Sequence, residues 1–246
     1  GYTASDTTNF VNTGFGVGND GNLSVPWYGN ISNLRVTAGG IPSAYSTSAT
    51  TVGTTVFSPP TRPLAPVANT TLLLNVTTPS TFITDSSPSP ITLTNNNTVL
   101  YSTNSPYGLT PAKVPYTTTN SNTSTTALLV SNQVDDATAA AGSIAFNGTS
   151  QYLSLASNTA FNFGTAAFTI ECWFSTNSVG AVRTIYDNRT GNDTANVGFD
   201  LYLNATGKVC FGTNGSTYIV GSTTVVADTW YYVALVRSSS TSATLY

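Results

Sequence analysis

At 246 residues and 25.6 kDa, the chain has room for one large all-β domain or two small ones. It carries 7 Lys+Arg against 10 Asp+Glu and no His, which excludes an imidazole zinc site and a Ser-His-Asp relay; with only 7% charged residues and one Glu, Glu171, it also lacks the ion pairs of a helical bundle. Seven scattered basic residues cannot neutralise a phosphate backbone, and no apolar run approaches the roughly 18 residues of a membrane span, so neither nucleic acid nor a bilayer is an expected partner.

The apolar pattern has period two almost throughout. In chain order it predicts strands at Ile31–Thr37, Thr71–Val76, Gln151–Leu155, Ala167–Phe174, Ala181–Asp187, Val197–Leu203, Lys208–Phe211, Thr217–Val220 and Trp230–Arg237. Between them lie turn clusters such as Asn147-Gly148, Thr206-Gly207 and Asn214-Gly215, whose Asn and Gly accept the positive φ of a tight hairpin. The stretch Asp135–Ala141 tolerates one or two helical turns at most. Two stretches break the alternation. Phe57–Pro66 holds four prolines, which lack the ladder donor, and reads as an extended connector. Thr117–Thr126 is nearly all Thr, Asn and Ser and reads as an exposed loop or weak edge. Hydrophobic residues at 40% and aromatics at 11% suffice for a packed core. Many short strands with regular turns predict an all-β antiparallel sandwich or jelly roll, expected on an extracellular or virion surface and kept soluble by hydroxyls and amides.

Cys172 and Cys210 fall on separate predicted strands. A bridge between them would close a loop of about 38 residues, worth up to roughly 4 kcal/mol in the chain-entropy model. Two small buried hydrophobes are the alternative, and spacing does not decide between them.

Several segments have a familiar form. Gly142–Leu153 resembles the opening strands of laminin-G-like domains in the concanavalin A-like lectin/glucanase superfamily, and Phe168–Phe174 resembles their next core strand. Asp228–Arg237 is similar to the strand that usually reads Trp, then His, then Val-Ala, with Tyr232 here in the usual His place. Trp27–Val36 resembles the closing strand. The wording is nearest to repeats of phage tail-fibre and other virion structural proteins. The order is inverted, because the closing strand precedes the connector and the opening strands follow it. The resemblance therefore implies a jelly roll present as the end of one unit and the start of the next. Residues 1–61 would be C-terminal strands, 62–70 a Pro-rich connector, 71–141 leading strands with a Thr/Asn/Ser-rich insertion, and 142–246 the main body of a second jelly roll. The Gly at position 1 and the strand-like ends suit a mature product, a fragment or a window of a longer array. Each portion would need a partner, since a short end-piece cannot bury its sheet face and a truncated jelly roll exposes an edge. A tandem array, head-to-tail exchange between copies, or a circular permutant would supply it. Contact of Leu34 with Phe168–Phe174 inside one chain distinguishes the permutant.

The superfamily's hydrolases carry a Glu-x-Asp-x-x-Glu strand motif. Glu171 is followed by Cys172-Trp173-Phe174, so the motif is missing; Glu171 reads as a strand residue satisfied by a hydroxyl or an Arg, and no catalytic residue is expected. The loop Asp187–Asp193 gathers oxygen ligands, making Asp187 and Asp193 the candidate calcium ligands, against an ordinary turn whose charge Arg189 offsets. No other cofactor is expected. Trp27, Tyr28, Tyr186 and Tyr218 are the aromatics eligible to stack on a sugar, with core packing as the alternative. Asn22, Asn30, Asn69, Asn147 and Asn204 head glycosylation sequons in a chain so rich in Ser and Thr that chance accounts for most of them. The expected role is a non-catalytic structural module of a phage fibre, virion surface or extracellular filament, with neighbouring copies of itself as head-to-tail partners. The alternative is a glycan-binding adhesion module.

Overall fold

A computed structural model describes residues 2–4, 7–11, 14–20, 23–45, 57–107, 142–189, 198–213 and 216–246. Among the described residues fifteen strands follow in chain order: β1 (Tyr2–Ala4), β2 (Gly14–Val17), β3 (Tyr28–Ala38), β4 (Thr70–Leu74), β5 (Thr94–Asn96), β6 (Leu100–Ser102), β7 (Ser143–Asn147), β8 (Tyr152–Ala156), β9 (Phe168–Thr176), β10 (Arg183–Asp187), β11 (Phe199–Leu203), β12 (Val209–Thr213), β13 (Ser216–Val220), β14 (Tyr231–Ser239) and β15 (Ser242–Leu245). They form two antiparallel sheets. The first runs β1-β15-β14-β9-β3-β7-β6, with β4 also on β3; the second runs β13-β12-β11-β10-β2-β8-β5. The all-β sandwich expected from the alternation is the fold. The turns expected at Asn214-Gly215 and Thr190–Asp193, the helical turns at Asp135–Ala141 and the loop at Thr117–Thr126 lie outside the described residues.

The strand β3 determines the architecture. It lies between β9 on one side and β7 and β4 on the other, and is buried along almost its whole length. Ile31 is opposite Phe174 and Val36 opposite Ile170, so the contact that marks a chain closed on itself is present. β2 likewise sits between β10 and β8 in the second sheet. The expectation that residues 1–61 and 142–246 belong to two incomplete units is therefore corrected. The early strands complete the sheets of the same chain, in the order of a circular permutant. The physical reason is the one that made a partner necessary: β9 without β3 leaves an unpaired edge and an open core, and the nearest source of the missing strand is the chain itself.

Local chemistry fits β3 to this slot. Asn33 and Leu34 together span the gap between the pairs Ser32–Trp173 and Arg35–Glu171, which makes a bulge. Asn33 takes φ 52, a left-handed conformation that Asn tolerates better than most residues. The extra residue keeps Ile31, Leu34 and Val36 all in the core despite their uneven spacing. Asn33 then accepts the Leu64 backbone N–H at 3.0 Å, which docks the Pro-rich segment on the outer face of the sheet. Gly29 is required beside it. Its φ is +137, and a Cβ there would come within 2.2 Å of the Ser175 carbonyl oxygen.

Between the sheets, Phe10, Phe163, Phe168, Phe199 and Phe211 form a run of ring contacts with centroids 4.6–5.9 Å apart. Arg237, fully buried, donates to the carbonyls of Gly164 and Thr8 at 2.9 and 2.8 Å and lies 5.0 Å from the Phe10 ring centroid. It thereby ties Thr8 and Phe10 to β14.

Cys172 and Cys210 are both free thiols. Cys172 belongs to the core between the sheets, while Cys210 is on the second sheet beside the Lys208 carbonyl. Burial pushes both thiols up, the adjacent Glu171 charge adding to the effect at Cys172. Thiol titration is expected to find both groups unreactive in the native protein and both reactive in denaturant, with reductant leaving the melting temperature unchanged. A melting point lowered by reductant would show that the two are bridged.

Candidate functional site

Three places concentrate polar or aromatic side chains. The first is the outer face of the eight-stranded sheet. Alternation along β9 sends Ile170, Cys172 and Phe174 inward and Glu171 outward, yet Glu171 is only 1% exposed. Arg35, opposite it on β3, donates from Nε at 2.7 Å and lies 2.5 Å away through Nη2. The phenols of Tyr45 and Tyr232 both donate to Glu171 Oε2. Phe57 stacks on both tyrosines, at 4.9 and 5.5 Å, and Arg35 holds the Ala65 carbonyl at 2.7 Å. The Pro-rich connector is thus a strap over a sealed ion pair. Burial, then the Glu171 charge, pushes both phenols well above the usual tyrosine range, so both stay protonated donors.

The second place is the outward side of the other sheet. Asp187 and Asp200 face each other across β10 and β11. Arg189 bridges them, with Nη2 at 2.7 Å from Asp187 and 3.0 Å from Asp200. Its Nε also donates to both Asp187 oxygens at 3.1 Å. Burial is the largest influence on Asp200; against the opposing pull of Arg189, and helped by the Asp187 and Asp20 charges, it pushes the carboxyl up to about 7. Asp20 receives the backbone N–H groups of Ser24 and Val25 at 2.6 and 3.2 Å. Asp187 presents its oxygens to a guanidinium, Asp193 lies outside the described residues, and among the described residues no three His, Cys, Asp or Glu side chains are grouped to hold a metal.

The third is a cleft of about 240 Å³ where the start of β14 and the end of β15 pass the segment Gly221–Val225. Its lining includes Phe174, Val209, Leu245, Ser222, Thr223 and Tyr231, together with Tyr232 and Tyr246, whose rings pack against Phe57. Residue-level pattern reading misses it, because its flanks come from three separate stretches of chain.

The aromatics singled out in the sequence scatter. Trp27 and Tyr186 are fully buried, against Phe174 and against Phe15 and Phe199 respectively. Tyr28 is exposed but lies beneath the Arg183 guanidinium, 5.4 Å from its ring centre. Tyr218 is exposed on the edge strand β13. Of the sequon asparagines, Asn30 is buried with its amide on Ser143; Asn69 and Asn147 are exposed; Asn204 sits in a turn; Asn22 lies outside the described residues.

No curated protein and no solved structure matches the chain. Residues 147–246 match the laminin-G-like family described as the concanavalin A-like lectin/glucanases superfamily. That stretch runs from the end of β7 through β15, and β2 and β3 fill the two sheets it builds. Over residues 147–246 the chain is thus similar to the concanavalin A-like lectin/glucanase superfamily, and the two-sheet antiparallel sandwich is consistent with its jelly roll.

Proposed function

We propose that the chain is a non-catalytic structural module of a virion surface or extracellular filament, of the phage-fibre kind. The observation that carries this reading is the use made of its few charges. Glu171 is saturated by Arg35 and two phenols, Asp187 and Asp200 share Arg189, and Asp85 receives the backbone N–H groups of Leu73, Ser87 and Ile91. These carboxylates hold strands and loops in place; they are not presented as a spaced acid–base pair. Among the described residues no helix is long and apolar enough to cross a membrane. Neighbouring copies, head to tail, are the proposed partners. Because β3 fills its own sheet, copies would meet through finished surfaces and not by lending a strand. Negative-stain imaging and light scattering of the purified chain over a concentration series test this: end-to-end rods are expected, and a concentration-independent monomer would overturn it.

The cleft favours a second reading, a lectin-like adhesion module for host or surface glycans. None of its lining residues is charged, and Ser222 and Thr223 bring hydroxyls to it. Binding of the labelled chain to a glycan array tests that reading independently of assembly.

A further inference from the structure

We propose that the end of the sandwich where β9 turns into β10 is a two-fold interface, on which a second copy of the chain docks head to head with Arg183 of each copy against Asp228 of the other. The contact goes beyond the fibre reading. It closes on two copies and leaves the sheet edges for head-to-tail growth. Three observations carry it.

The first is where the apolar surface lies. Of the nine large apolar side chains exposed among the described residues, five are gathered at this end. Leu23 is in the loop before β3 and Tyr28 at its start, Val179 and Val182 are in the turn between β9 and β10, and Val226 is in the loop before β14. The register brings these segments together, with Gly29 opposite Thr176 and Tyr231 opposite Phe174. Apolar residues exposed singly need no explanation, but several on adjoining loops mark a contact surface.

The second is charge. Arg183 donates from Nη1 to the Pro26 carbonyl at 3.1 Å and from Nη2 to Ser178 Oγ at 3.0 Å, and its Cζ lies 5.4 Å from the Tyr28 ring centre. Its Nε is buried without a partner, and no carboxylate among the described residues pairs with it. Burial, opposed by Tyr28, lowers its pKa, as expected of a cation short of counter-charge. Asp228 is the converse. Among the described residues it is the one exposed carboxylate, the others being buried, and no cation pairs with it.

The third is placement. β3 and β14 flank β9 on opposite sides, so the turn after β9 stands between the two groups. On the β3 flank, Asn177 N–H bonds to the Tyr28 carbonyl at 2.9 Å and Thr184 N–H to the Val25 carbonyl at 3.0 Å, which fixes the backbone around Arg183. On the β14 flank, Asp228 N–H bonds to the Thr176 carbonyl at 2.8 Å. A two-fold axis through the turn lays each copy's Arg183 flank on the other's Asp228 flank and brings Val179 towards its own counterpart. One unpaired charge of each sign, on either side of the axis, is thereby matched twice. Loops already held by backbone bonds lose little freedom on docking.

The test uses the full chain. Sedimentation equilibrium is read for the wild type, Asp228→Arg, Arg183→Asp and the double reversal, with a melting curve for each. The expected result is a reversible dimer whose Kd rises about tenfold or more in each single variant and returns towards the wild-type value in the double. Val179→Cys is read beside them: both native thiols are buried, so mild oxidation is expected to link two copies into a covalent dimer. Asp228→Arg alters an exposed side chain, so it and Val179→Cys decide the matter should Arg183→Asp fail to fold. An Asp228→Arg dimer as tight as the wild type, a folded double variant no tighter than the single ones, or no covalent dimer from Val179→Cys overturns the interface. Rods that form alike in all variants overturn it while leaving the fibre reading standing, and a wild type that stays monomeric overturns both.

Discussion

Replacing Glu171 by alanine is expected to lower the unfolding free energy by about 3–5 kcal/mol. Three donors converge on this carboxylate: the Arg35 guanidinium and the phenols of Tyr45 and Tyr232. Arg35 is only 6% exposed, so the alanine variant would hold an unpaired cation away from water together with two phenols robbed of their acceptor. The loss extends to the strap, because Phe57 rests on the same two tyrosines and Ala65 on the same arginine. Glu171→Gln is expected to cost less, since an amide oxygen still accepts from the phenols while the ion pair is lost. The double variant Arg35→Met, Glu171→Leu should recover much of the alanine loss, because an apolar pair of similar volume avoids desolvating both charges. Urea denaturation followed by circular dichroism measures all three. A loss below about 1 kcal/mol in Glu171→Ala would mean that the pair behaves as an exposed one, and the sealed site described above would be wrong.

The strand alternation, the turns and the sandwich class were readable along the chain, because each is a local pattern. The role of β3 was readable only by half. Ile31, Leu34 and Val36 mark an apolar segment, but their uneven spacing fits one face only once Asn33 forms a bulge, and a bulge depends on the partner strand. That partner begins more than a hundred residues later, a distance no periodicity reports. β2 escaped notice for a different reason. Gly14-Phe15-Gly16-Val17 has two glycines in four residues and little intrinsic strand preference; it is a strand because β10 and β8 hold it on both sides. Glu171 could be recognised as a strand residue satisfied by a hydroxyl or an arginine, and the structure supplies both kinds of donor; its burial was not legible. Asp200 left no comparable signal. Phe199-Asp200-Leu201 reads as an ordinary outward aspartate until strand pairing puts Asp187 opposite and Arg189 between them.

That pairing gives the molecule an unusual response to pH. The Asp200 carboxyl is pushed from 3.8 up to about 7, chiefly by burial. Between these values the folded chain holds a proton that the unfolded chain has released, so raising the pH favours the unfolded state. The stability contributed by protonated Asp200 is fully present below about pH 4 and is lost as pH rises through 7, amounting to about 4 kcal/mol at most. The absence of histidine makes the window clean, because no other side chain type ordinarily titrates between pH 5 and 8. Wild-type urea midpoints are therefore expected to fall from pH 5 to pH 8. Asp200→Asn should flatten that slope and be the more stable protein at pH 8, since asparagine is neutral throughout and Arg189 keeps its contacts with both Asp187 oxygens. At pH 4 the two proteins should differ little. A wild-type stability that is level or rises across pH 5–8 would show that the Arg189 ion pair outweighs burial at this carboxyl, and Asp200 would then be an ordinary ionised strand residue.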